Sequence, residues 1–181
     1  MNTSKSILFL DIDDVLCLNQ TYGGYDVIRA MKGVHPFPDN VYRDVFDQRA
    51  CQVLVSIHSA MAGNLEYVIS STWREVFDEA QMREVFRRAG IGFVGHALHE
   101  RWCTPVRPER GRRADDIAAW LDTWHQGEAF AIVDDGPRAA AIVARRGVRR
   151  GDAAGTARGG GTGHGAHRKR TSVTRVDCHD A

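Results

Sequence analysis

At 181 residues, with 43% hydrophobic and 26% charged side chains, the chain is long enough for one domain with a substantial core and too short for two ordinary ones. A formal charge of +1 excludes a broad electrostatic footprint for nucleic acid or membrane. The four cysteines, Cys17, Cys51, Cys103 and Cys178, include no CxxC pair, which excludes a zinc ribbon or a dense disulfide framework and predicts free thiols in a reducing compartment.

The polar start Met1-Asn2-Thr3-Ser4-Lys5 lacks the apolar stretch of a signal peptide, and no run reaches membrane-spanning length, so a cytoplasmic location is expected. Ile7-Leu8-Phe9-Leu10 then fits a strand buried on both faces, as in the centre of a parallel sheet. It ends in Asp11, Asp13 and Asp14. If the pleat persists, Asp11 and Asp13 point the same way and set two negative groups side by side. The carboxyl ends of strands in open α/β sheets are where ligands bind, which makes this exit the expected place for chemistry. A simpler reading has Asp13 or Asp14 capping the next helix.

From about Cys17 to Phe46 the periodicity is weak, and Tyr22-Gly23-Gly24-Tyr25 suggests a hairpin within a short flap. Ala50, Val53, Leu54, Ile57 and Met61 predict a helix from about Phe46 to Met61, stopped by Gly63-Asn64. Leu65 to Ser70 reads as a second strand. Thr72 and Glu75 have capping-box spacing for a helix to about Ala89, with Val76, Phe77, Met82, Val85 and Phe86 facing inward and Gly90 ending it. Ile91 to Val94 suggests a short third strand, and His96 to Arg110, with Pro105 and Pro108, a loop. Ile117, Ala118, Trp120, Leu121 and Trp124 predict a helix from Arg112 to Trp124, and Ala129 to Val133 a fourth strand that ends in Asp134-Asp135. Strand and helix alternate throughout, as in a three-layer Rossmann-like α/β fold with a parallel sheet and helices on both faces.

After a short helix expected at Arg138 to Arg146, residues 151 to 181 become rich in Gly, Arg and Thr. The expected organisation is one domain over 1–150 and a disordered tail over 151–181, whose composition also fits a frame-shifted translation of GC-rich sequence.

Parallel strands would gather Asp11, Asp13, Ser70, Ser71, Asp134 and Asp135 at one edge, with Arg112 and Arg113 opening the helix before the last strand. Four carboxylates there repel strongly unless some are protonated or a cation sits among them. Oxygen-only ligands without a nearby histidine point to Mg2+, which pairs with a substrate phosphate.

In these features the sequence resembles the haloacid dehalogenase (HAD)-like superfamily of aspartate-based phosphatases. Its four motifs match in order: Asp11-Ile12-Asp13-Asp14-Val15-Leu16, then Val68-Ile69-Ser70, then Arg112 or Arg113, then Ile132-Val133-Asp134-Asp135. The resemblance covers about residues 6 to 146. Ser70-Ser71-Thr72-Trp73-Arg74, with the Arg-rich opening of the Ile117/Trp120/Leu121 helix, further resembles the HAD domain of Swiss army knife RNA repair-like proteins.

The resemblance implies a magnesium-dependent phosphomonoester hydrolase, and the segments after the first strand and before Arg112 are too short for a full cap domain. Asp11 would be the nucleophile that becomes a transient aspartyl phosphate, and Asp13 the acid and then the base. Ser70 and Arg113 would hold the phosphoryl group, with Ser71, Arg112 and Arg74 binding substrate. Asp11, Asp134, Asp135 and Asp13, the last through its backbone carbonyl, would hold the metal. A flap this small suits a bulky substrate such as a nucleic-acid end, approached by Arg74, Arg107 and Arg110. Asp14 departs from the family's usual glycine, and the family's sheet usually continues where the pattern here dissolves near Gly151. A second reading keeps the fold and loses turnover, leaving a binding module for RNA or a protein partner. His96, His99 and Cys103 lack a fourth ligand for zinc. Trp120 and Trp124 read as core, and Trp73 as core or as a substrate contact.

Overall fold

The structure is a computed structural model that describes residues 5–34, 37–106 and 113–136. Arg107, Arg110, Arg112, the helix expected at Arg138 to Arg146 and the tail lie outside the described residues.

Four strands, β1 (Ser6–Leu10), β2 (Leu65–Ile69), β3 (Leu98–Cys103) and β4 (Phe130–Val133), form one parallel sheet in the order β3-β2-β1-β4. β1 is central. Its residues alternate between two cores, as a strand covered on both faces must. Ile7 and Phe9 pack with Val68, Phe130 and Ile132 against Ile117, Trp120 and Leu121 of α6 (Arg113–Trp124). Leu8 and Leu10 pack with Tyr67 and Ile69 against Leu54 of α3 (Gln48–Ala60) and Met82, Val85 and Phe86 of α4 (Glu79–Arg88). Phe9 and Trp120 meet edge to face, with ring centroids 5.3 Å apart. Helices therefore cover both faces, as the alternating pattern predicts.

Several local expectations are corrected. The Tyr22-Gly23-Gly24-Tyr25 stretch forms no hairpin; it opens α1 (Gly24–Met31), because Asp26 reaches back to accept from Gly23 N at 2.9 Å and satisfies an amide at the helix start. α2 (Val41–Asp44) follows, and the two short helices make up the flap. Thr72–Glu75 is a 3-10 turn. The longer helix starts later, at Glu79, where Asp78 accepts from Gln81 N at 2.8 Å and Gln81 returns a bond to Asp78 N at 3.0 Å. Val76 consequently falls outside the inward stripe and is exposed. Val53 is likewise exposed, and α3 buries Cys51 and Leu54.

The third strand lies elsewhere than expected. Ile91 to Val94 leads into α5 (Gly92–His96), where Ile91 and Val94 are buried in the α4-side core. β3 lies within the stretch read as a loop. An edge strand is paired on one side only and needs no continuous apolar run, and Leu98-His99-Glu100-Arg101-Trp102-Cys103 has none.

Candidate active site

The strand exits are in register. Ser70 N donates to Leu10 O, Asp11 N to Val133 O and Thr104 N to Ile69 O, each at 3.0 Å. The residues just past the four strands, Thr104, Ser70, Asp11 and Asp134, therefore form one row along the carboxyl edge of the sheet. Asp11, Ser70 and Thr104 are buried.

Asp11 Oδ1 accepts from Ile12 N at 2.8 Å, and Oδ2 is bonded by Arg113 Nη1. The same Nη1 lies 3.2 Å from Asp134 Oδ2 and 3.5 Å from Asp135 Oδ1. Gly136 N donates to Asp134 Oδ1 at 2.7 Å and orients that carboxylate. Asp11, Asp134 and Asp135 offer one oxygen each within 4.8 Å of one another. Burial, above all, pushes the Asp11 carboxyl up to about 7, with help from the Asp134 and Asp135 charges and against the pull of Arg113 and the Ile12 amide. Arg113 itself is held above its ordinary range because Asp11 and Asp134 outweigh the burial of its guanidinium.

Three carboxyl groups, with Asp11 buried, Asp134 half-buried and Asp135 exposed, surround one guanidinium and leave more acid than that single cation neutralises. An all-oxygen donor set with that surplus fits a hard divalent cation such as Mg2+.

Asp13 stands apart from this cluster, which corrects the expectation that it shares a direction with Asp11. β1 ends at Leu10, and the chain curls so that Ile12 O accepts from the amides of Val15, Leu16 and Cys17, at 3.3, 2.9 and 2.8 Å. Asp14 has φ +58°, a left-handed conformation that glycine adopts without strain and most other residues avoid. The pleat is lost there. Asp13 instead accepts from Trp73 Nε1 at 2.9 Å and Thr72 Oγ1 at 3.1 Å.

The second-strand residues divide their work. Ser70 Oγ is buried with no hydrogen-bond partner, an open position for an incoming acceptor or donor. Ser71 Oγ accepts from Trp73 N at 3.4 Å and caps the 3-10 turn. Arg74, expected to reach substrate, is buried with its guanidinium turned inward: Nε donates to Thr104 O at 3.1 Å, Nη1 to Ser70 O at 2.9 Å and Ser71 O at 2.6 Å, and Nη2 to Asp116 Oδ2 at 2.9 Å. Its role is to tie the β2 and β3 exits to α6, one turn from Arg113.

Sequence reasoning missed Thr104, Asp116 and the bonds from Thr72 and Trp73 to Asp13. Thr104 carries a second unpartnered buried hydroxyl, and it escaped notice because its strand did. Trp73 directly follows a strand-exit Ser-Ser-Thr, and that position was the available signal.

No curated protein and no solved structure matches the chain. The model for the HAD domain in Swiss Army Knife RNA repair proteins matches residues 7–153, which takes in all four described strands apart from the first residue of β1. With a parallel sheet carrying acids at its central exit and a basic residue opening α6, the chain belongs to that family of HAD domains.

Proposed function

We propose that this chain is a magnesium-dependent phosphomonoester hydrolase that works through an aspartyl phosphate. The observation that carries this reading is the buried Asp11 carboxylate, set in the strand-exit row beside the unpartnered Ser70 hydroxyl and bonded to Arg113.

Asp11 attacks phosphorus, and the ester oxygen leaves with a proton from Asp13. Asp13 then takes a proton from the water that opens the acyl phosphate. Ser70 Oγ bonds a phosphoryl oxygen, and Arg113 neutralises charge on the equatorial oxygens. Mg2+, which Asp11, Asp134 and Asp135 fit, would supply further charge neutralisation at the phosphoryl group. Phosphate release is expected to need added Mg2+ and to stop with chelator. Asp13→Asn should cost roughly 10²- to 10⁴-fold, the usual worth of lost acid–base help. Metal-independent turnover would refute the assignment.

For substrate we propose a terminal phosphate on nucleic acid, in keeping with the RNA-repair description of the family. The flap supports this. Tyr25 is exposed at the start of α1, with Arg29 and Lys32 four and seven residues on and hence along the same helical face. An exposed aromatic with basic neighbours suits a stacked base and its phosphates, giving binding that weakens as salt rises. Phosphorylated oligonucleotides should exceed sugar phosphates in kcat/KM at low salt, with the gap narrowing at high salt. A sugar phosphate turned over as well, with no salt effect peculiar to the oligonucleotide, leaves a general phosphatase.

Among the described residues no helix is long and apolar enough to cross a membrane, and Cys17, Cys51 and Cys103 are free thiols. We propose a cytoplasmic location, with which free thiols are in keeping. We also propose that residues 1–150 are the catalytic domain and 151–181 a dispensable tail. Truncation after Asp152 should leave the melting temperature and activity nearly unchanged, and a large loss of either would make the tail part of the domain.

A further inference from the structure

Trp73 is only 4% exposed, and its ring packs with Phe46 and Phe77 at centroid distances of 5.8 and 5.6 Å. Core packing accounts for the ring but not for its nitrogen, which donates to Asp13 Oδ1 at 2.9 Å. The preceding residue completes the clamp: Thr72 Oγ1 lies 3.1 Å from Asp13 Oδ2. The start of α1 also rests on the indole. A Cβ placed on Gly24 would come within 2.8 to 2.9 Å of Trp73 Cζ2, Cε2 and Nε1. The indole thus touches the flap and the carboxylate at once.

We propose that Trp73 and Thr72 are positioning residues for the Asp13 carboxyl group, and that the seat of α1 on the indole sets where that group stands. This rests on the phosphomonoesterase reading above. An indole N–H can only donate, so Oδ1 is an acceptor whether Asp13 is charged or neutral. The transferable proton is therefore carried on Oδ2, where the Thr72 hydroxyl can either donate or accept. As the Asp11 Oδ–P bond forms, the ester P–O bond breaks. Its electron pair stays on the ester oxygen, which takes the Oδ2 proton and leaves Asp13 as a carboxylate. Releasing the N–H frees the carboxyl group to rotate, and proton delivery falls steeply with misplacement.

The test compares kcat/KM for glycerol phosphate, whose alkoxide must be protonated as it leaves, with that for p-nitrophenyl phosphate, whose leaving group needs little help. This ratio reports the first transfer, before the aspartyl phosphate is hydrolysed. Trp73→Phe keeps an aromatic ring in the cluster and deletes the donor. It should lose at least about tenfold more on glycerol phosphate than on p-nitrophenyl phosphate. Thr72→Val, on the surface, should show the same bias, and so should Gly24→Ala, which pushes on the ring without altering any donor. Equal losses on both esters, or no loss on either, would overturn the inference and leave the phosphatase reading standing. Absence of turnover by the wild-type protein of both esters and of a phosphorylated oligonucleotide in the presence of Mg2+ would overturn both.

Discussion

Asp11→Asn is expected to reduce phosphate release to background while making the metal-free protein more heat-stable at alkaline pH. The amide is a far weaker nucleophile than the carboxylate and cannot form the acyl phosphate. The stability gain has a separate origin. Burial raises the folded Asp11 carboxyl from 3.8 to about 7, so the native state holds a proton that the unfolded chain has released. The contribution of that proton to stability is fully present below about 3.8, falls as pH rises, and is gone above about 7. Asparagine does not titrate. In chelator, the melting temperature of the variant relative to wild type should therefore climb by several degrees between pH 5 and pH 8 and level off above it. A difference that does not vary with pH would remove the buried-charge account of Asp11. Retained turnover would remove its role as nucleophile.

The largest loss of stability is expected from Arg74→Ala. The side chain and its partner Asp116 are almost completely buried, and the guanidinium donates to three backbone carbonyls from two strand exits. Truncation takes the guanidinium away from Asp116 and from those carbonyls in a low-dielectric setting. Breaking one side of such a buried pair costs about 3–5 kcal/mol. Arg74→Lys should recover little, because one ammonium cannot match a planar fork that spans the Ser70, Ser71 and Thr104 carbonyls and a carboxylate. The double variant Arg74→Met with Asp116→Leu should recover more than either single change, since no buried charge is left behind. Urea unfolding of the four proteins tests this, and a loss below about 1 kcal/mol for Arg74→Ala would show that the pair is not a structural clamp. Variants that stay folded should also turn over more slowly, because the clamp holds Ser70 and the helix that carries Arg113.

Much of the fold was legible because β1, β2 and β4 are short apolar runs with polar exits, a pattern that burial on both faces imposes on the sequence itself. β3 was not, because Glu100 and Arg101 stay exposed and break any apolar run, whereas β4, the other end strand among the described residues, packs into both cores. α1 was hidden by a Gly-Gly pair that reads as a turn until Asp26 is seen bonding back to Gly23. The start of α4 was misplaced because two capping signals, Thr72 with Glu75 and Asp78 with Gln81, lie six residues apart, and local spacing does not choose between them.

At the site, the sequence by itself determined which chemical groups stand at the strand exits: Asp11 after β1, Ser70 after β2, Asp134 and Asp135 after β4, and an arginine, Arg112 or Arg113, at the head of α6. Those follow from strand polarity, because a parallel sheet brings all its carboxyl ends to one edge. The tertiary structure alone decided which group each one faces. Asp13 left the acidic cluster because the backbone curls after Ile12, and Arg74 left the surface because a carboxylate 42 residues away, on α6, and a carbonyl just past β3 lay within reach. Side-chain periodicity describes only neighbours along one backbone. The direction of a long polar side chain is set by partners distant in sequence, which come into range only when the sheet and helices have packed.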